Sequence, residues 1–260
     1  MPIYLYIDRG SFVHRLHPTV KVLALFVMFW SVYWVDNPIA LVPIGIFMLC
    51  VAQVTHSWPN FYRLRWLFIM TFTAMVPWLF YRQGPVLVHV PLFHLSRYNL
   101  IFGFGRGIKL AELLAASILF LSTTKIEEFT LGLQRLGVSY RVGFAISLAF
   151  RLVPLFIDSA VTVVDAQRLR GYDFDQGGAF ERVRRYVPVV IPVFMGSLRK
   201  ANNMAMALEA RGFGHTGEPS TYIEYPVVAA DVIAFLTLVA IGAGYFMLYY
   251  SGLGGIGAVK

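Results

Sequence analysis

The chain has 260 residues, 58% of them hydrophobic and only 14% charged, with a mean hydropathy of +0.65. A soluble domain is about 45–50% apolar and about 25% charged, so this composition excludes an ordinary water-soluble globule and calls for lipid as solvent. The formal charge of +8 fits the cytoplasmic Lys and Arg of a membrane protein better than a nucleic-acid surface.

The first ten residues show no basic region followed by an apolar core, so no cleaved signal peptide is expected. Apolar runs of ~20 residues are candidate spans, because a helix of that length crosses the hydrocarbon core. The first is 20–35, closed by the turn residues Asp36-Asn37-Pro38; the second is 39–54, stopping at Thr55-His56-Ser57. The single cysteine, Cys50, cannot form an internal disulfide and is expected as a lipid-facing or packed thiol. The third run is 66–81, with Pro77 inside, which a lipid-embedded helix tolerates. The connection 84–99 carries β-branched residues between Pro85 and Pro91 and predicts a short hairpin or irregular surface loop. His89 and His94 lie there without a carboxylate or Cys nearby, so no metal site is expected. The fourth run is 101–123, with its apolar centre at 110–121 because Arg106, Lys109 and Glu112 crowd its start. Gly103-Phe104-Gly105-Arg106-Gly107 follows no soluble strand and is expected as a loop-to-helix junction, not a phosphate cradle. The last run is 227–250, with Asp231 near its beginning.

Segment 125–220 is different, holding 12 of the chain's 22 Lys and Arg. Its apolar stretch 142–164 has Arg151 in the middle and Asp158 beyond, and a charge at the bilayer centre costs at least ~2.5–3.5 kcal/mol. Its second stretch, 187–198, carries Pro188 and Pro192 and is too short to span. Were both to span, Arg168, Arg170, Arg182, Arg184 and Arg185 would lie opposite the other basic loops. With neither spanning, the basic segments fall on one side, apart from Arg82 and Arg97. The expected fold is therefore an all-α membrane protein with about five transmembrane helices and a cytoplasmic helical domain. Residues 1–124 form a membrane domain of four spans, 125–220 the cytoplasmic domain, and 221–260 the final transmembrane helix. The N-terminus is cytoplasmic, and Glu127-Glu128 is expected to solvate the start of the cytoplasmic domain. An apolar helix that does not span must bury its face against the spans, the lipid interface or a partner. Ala201, Ala205, Ala207 and Ala210, with Met195, Met204 and Met206, suit either close, adaptable docking or simple core filling.

Two stretches in this domain end alike: Gln167-Arg168-Leu169-Arg170-Gly171-Tyr172 and Leu208-Glu209-Ala210-Arg211-Gly212-Phe213. Glycine after a helix takes the left-handed conformation that closes it, and an Arg just before it meets the negative end of the helix dipole. One copy is ordinary helix-ending chemistry. Two copies place two guanidiniums at helix tips, where a planar fork of donors suits a groove of carboxylates or carbonyls on another protein.

These motifs resemble the paired Ala-Arg-Gly motifs of the T component, the transmembrane scaffold, of energy-coupling factor (ECF) transporters and their cobalt-transport relatives. Ala210-Arg211-Gly212 matches in full; Leu169-Arg170-Gly171 replaces the leading Ala. The stretch from Ser11 to Lys21, Leu121-Ser122-Thr123-Thr124, Leu133 to Val138 and Phe144 to Ala149 are also similar to the family, in the family's order. The resemblance implies a coupling-helix domain at 125–220 and two cytoplasmic ABC-type ATPase subunits anchored at Arg170 and Arg211. It further implies a small membrane substrate-capture (S) component and a multi-pass location in the plasma membrane of a prokaryote. The nutrient, a vitamin or a transition metal, would be chosen by the capture component.

No Gly-x-x-x-x-Gly-Lys-Ser/Thr stretch occurs, and no nucleophile–base or Cys/His metal spacing. No catalytic residue, cofactor, metal ligand or nucleic-acid partner is therefore expected. The rival readings are a membrane-embedded enzyme, for which only Glu112 and Asp231 offer intramembrane acids, and a stand-alone transporter, which would show inverted repeats or broken midplane helices. Obligatory co-purification of ATPases separates the scaffold from both. Gly177→Cys will react with a membrane-impermeant maleimide only from the cytoplasmic face; labelling from outside intact cells contradicts the five-span arrangement.

Overall fold

The chain starts its helices with local chemistry. His17 and Asn37 cap the first two long helices, their side chains accepting the amides of Thr19 (3.2 Å) and Ile39 (3.0 Å), each followed by a proline at the first helical position. A computed structural model describes residues 6–7, 10–80, 86–90, 93–174, 176–214 and 225–252, and their side chains except at 79–80, 86–98 and 179. The residues after Gly214 as far as Glu224 and the side chains of His89 and His94 lie outside the described residues.

The order is α1 (Phe12–Arg15), α2 (Pro18–Trp34), α3 (Pro38–Val54), α4 (Trp58–Arg63), α5 (Arg65–Phe80), a ribbon of β1 (Val86–Val90) and β2 (Phe93–Ser96), α6 (Arg97–Thr123), α7 (Ile126–Arg135), α8 (Tyr140–Leu169), α9 (Ala179–Arg185), α10 (Val187–Ala210) and α11 (Ala229–Tyr250). The fold is an all-α membrane protein with one antiparallel two-stranded ribbon, whose register sets His89 opposite His94. Among the described residues, α8 and α11 are long and apolar enough to cross a membrane, while α2 and α3 are apolar at 17 residues each. α8 is thus long enough to span, but carries Arg151 and Asp158 within its apolar stretch.

The helices form two compact units, Met1–Ser139 with Tyr225–Lys260, and Tyr140–Glu224. In the first, α2, α3, α6 and α11 enclose Met28, Val32, Leu41, Ile44, Met48, Ala116, Leu119 and Leu238. Cys50 is exposed, on the outside of this bundle. Residues 103–107 are not a loop-to-helix junction, as the sequence suggests, but lie inside α6. Gly105 is there because a side chain would stand 2.7 Å from the Asp36 carbonyl; one at Gly107 would press on Met75. These glycines let α6 run close beside its neighbours, at the usual cost in helix propensity. The charges crowding the start of α6 turn inward: Lys109 donates to the Tyr33 carbonyl and to Asp36 (3.1 Å), and Arg106 lies 3.5 Å from Asp36. They cap the end of α2 and hold the α2–α3 turn.

The chain ends are tied by Asp231. Its carboxylate accepts the Val228 amide (2.8 Å), closing the start of α11, and the His17 amide (2.7 Å) at the start of α2. In the second unit α8 and α10 run antiparallel, since Phe213 past the end of α10 lies 4.3 Å from Phe144 near the start of α8, and Lys200 bonds Ser159 at 2.6 Å midway. Little of this unit's apolar surface is internal: Phe180 is 84% exposed and Val183 70%.

Asp231→Ala leaves two amides without their acceptor and should lower stability by about 2–5 kcal/mol, read as an earlier thermal transition in detergent, with Asp231→Asn losing distinctly less.

Candidate functional site: two arginine–glycine helix tips

Both tips close with the same hydrogen-bond pattern. At the first, Gly171 (φ +83°) donates to the Arg168 carbonyl at 2.9 Å and Tyr172 to Gln167 at 3.0 Å. At the second, Gly212 (φ +76°) donates to Glu209 at 2.9 Å and Phe213 to Leu208 at 3.0 Å. This is the Schellman closure, which needs a left-handed residue and so favours glycine. Arg170 and Arg211 each stand as the last residue before that reversal. Both are exposed, and neither joins an ion pair among the described residues. Leu169, beside the first, is 90% exposed, and Ala210 is exposed beside the second.

The aromatic after each glycine anchors the tip from behind. Phe213 packs on Phe144 and Tyr140, the latter with ring centroids 6.4 Å apart. Tyr172 meets Phe174 at 5.0 Å, and Phe174, fully buried, packs with its ring tilted against Tyr186 at 4.9 Å. Arg185 donates to the Asp173 carbonyl (2.8 Å) and Arg182 to Gly177 (3.2 Å), fixing the loop that follows. Because α8 and α10 are antiparallel, the second tip lies at the start of α8 and the first at its end. A 30-residue helix at 1.5 Å per residue separates them by about 45 Å. The six residues marked in the sequence, Leu169, Arg170, Gly171, Ala210, Arg211 and Gly212, thus form two separate, alike sites rather than one.

A second constellation escapes sequence reasoning. Glu128 does not solvate the start of α7: it is buried and pairs with Lys21 at 2.7 Å. The Lys21 ammonium also donates to the carbonyls of His14 (2.7 Å) and Thr123 (3.2 Å), so its three protons have three acceptors. Beside it Ser122 accepts from Asn60 (2.7 Å), and Ser11 bonds His14 (2.7 Å). Burial, then the charges of Glu128 and Glu127, push the Tyr225 hydroxyl above its usual range. The one available signal is Lys21 itself, a lone cation at the start of an apolar run, in the first turn of α2. Among the described residues no group of three His, Cys, Asp or Glu is placed to hold a metal.

These features define an all-α membrane protein whose second unit presents two exposed cationic helix tips. The chain belongs to the CbiQ family, described as cobalt transport protein, which residues 9–223 match, both tips included. It is similar to the energy-coupling factor transporter transmembrane protein EcfT of Streptococcus thermophilus, 27% identical over 254 residues covering 94% of this chain and 96% of the relative. EcfT of Bacillus selenitireducens is 30% identical over 221 residues, 80% of this chain and 82% of its own length. EcfT of Bacillus subtilis is 25% identical over 255 residues, 94% and 96%.

Open space surrounds Gly171 and Gly212, so any side chain there is strained by φ alone. Gly212→Val should destabilise the second closure by about 1–2 kcal/mol, read as about tenfold faster hydrogen exchange at the Phe213 amide with the first tip unchanged.

Proposed function

We propose that this chain is the transmembrane scaffold, the T component, of an ATP-driven ECF-type importer of a vitamin or a transition metal. It is itself non-catalytic. Two cytoplasmic ABC-type ATPase subunits bind it, one at Arg170 and one at Arg211, and hydrolyse the ATP. A small membrane substrate-capture component holds the nutrient, and the scaffold carries the ATPase motion to it. The chain sits multi-pass in the plasma membrane with its N-terminus inside, four spans in residues 1–124, a coupling-helix domain at 125–220 and a final span in 221–260.

Family membership and the relatives' names support the class of machine. The observation that carries the coupling role is the pair of identically closed Arg-Gly tips about 45 Å apart along α8. One globular partner's groove does not reach both, whereas two copies of one ATPase each meet one. A guanidinium at a rigid helix end, flanked by exposed Leu169 or Ala210, has the shape of a hot-spot anchor: a charged fork for bidentate bonds beside an apolar shoulder. The cytoplasmic placement of α8 is supported by Arg151, exposed at mid-helix without an ion pair among the described residues; in hydrocarbon it would be costly.

The test is ATPase co-purification with tip variants. Losing a surface cation at a helix end costs the fold only ~0.3–1 kcal/mol, while losing a desolvated anchor costs ~2 kcal/mol or more in binding. Arg170→Glu with Arg211→Glu should therefore express normally, release its ATPases and abolish uptake. Each single change should weaken one docking site, and Arg→Lys should be intermediate. Unchanged ATPase yield with the double variant refutes the assignment.

A further inference from the structure

Helix α7 stands between the last segment of α6 and the start of the second unit, and two independent observations fix it to α2. Its third residue, Glu128, is joined to Lys21 in a buried pair, and Lys21 is at the same time bonded to the last turns of α1 and α6. One turn further on, Gly132 is the point of closest approach: a Cβ there would lie 2.9 Å from Val22 Cγ2 and 3.0 Å from the Pro18 carbonyl. There the α7 backbone, with no side chain of its own, lies against the Val22 side chain and the Pro18 carbonyl of α2. α7 then ends sharply at Gly137 (φ +106°), with Val138 donating to Leu133 at 3.1 Å, two residues before the second unit begins at Tyr140.

We propose that α7 is a strut rather than a hinge: the Lys21–Glu128 pair and the Gly132 seat make it one body with α2, so that force arriving from the second unit is delivered to the membrane helices at Lys21. Lys21, Glu128 and Gly132 are positioning residues for coupling. This inference rests on the T-component reading, and adds to it where motion is transmitted and where it is not absorbed. The chemistry favours a rigid joint. A buried ammonium loses its carboxylate acceptor, Glu128, if α7 slides by one residue, and a glycine seat admits no neighbouring residue in its place.

The experiment uses the full chain assembled with its ATPases and capture component in vesicles, in a Cys50→Ser background. Val22→Cys with Gly132→Cys puts a thiol pair at the closest approach; the first change removes the Val22 methyl that a Cβ at 132 would meet at 2.9 Å, and the locked and reduced forms share whatever strain is left. Oxidation should join them, and uptake by the locked protein should stay within about twofold of its reduced form, a difference well under 1 kcal/mol of coupling. A larger loss that reductant reverses shows that α7 must move on α2, and overturns the strut; failure of the thiols to pair overturns the seat on which it stands. Loosening the joint should do the opposite. Glu128→Gln and, separately, Gly132→Leu should keep ATPase association and ATP hydrolysis while uptake per ATP falls about tenfold. Uptake per ATP unchanged in a properly assembled Glu128→Gln variant overturns the proposal as well, leaving the pair a stabilising contact only. Absence of ATPases from the unmodified chain refutes the T-component reading itself, and is read in the same pull-down.

Discussion

The first unit is organised around one ammonium group. Burying Lys21 removes a strongly hydrated charge from water, at an effective cost of several kcal/mol per ion. It is stabilised only because three acceptors converge on it, two of them carbonyls that helix ends leave unsatisfied and one a carboxylate in the first turn of α7. The same contacts that satisfy the lysine decide where α1 stops, where α6 stops and how α7 leaves. Charge and dipole agree at each: a cation at two C-terminal ends, an anion near an N-terminal one. At the far end of α2 the pattern repeats with Lys109, the Tyr33 carbonyl and Asp36. Polar locks at both ends hold a bundle whose middle is mainly apolar contact, with Glu112 of α6 buried there against Gly45 of α3.

That division of labour follows from the solvent. Among helices in lipid the hydrophobic effect supplies no preference for one packing over another, so close approach and hydrogen bonds must select it. Gly105, Gly107 and Gly132 provide the close approach; Lys21, Lys109 and Asp231 provide the bonds. The second unit is built differently. It has few buried residues, a wide exposed apolar surface and two helix ends finished with care. Aromatic residues behind each glycine stiffen the tips, while Arg170 and Arg211 are left free of ion pairs among the described residues. A surface of that kind supports the part proposed for it.

Much of this was legible from residue order. Composition implies lipid, and hydropathy locates α2, α3, α5, α6 and α11 to within a few residues, because long apolar runs between turn residues have few alternatives. The ribbon after α5 was marked by prolines and β-branched residues. The Arg-Gly tips were readable because helix closure is local: glycine, the residue before it and the aromatic after it carry the whole geometry. Residues 103–107 misled, since three glycines read as a loop when the neighbours that demand them are unknown.

Residue order is enough for the solvent, the long apolar helices of the first unit and the two tips, all of which depend on residues a few positions apart. Tertiary structure alone decided three things. It placed the tips at opposite ends of an antiparallel pair. It set Asp231 on the His17 amide, 214 residues away in sequence, and it turned Glu128 from a solvated residue into the buried partner of Lys21. The reason is physical. A charged side chain carries no mark of whether water or another chain segment will satisfy it, and that is settled only when distant helices meet.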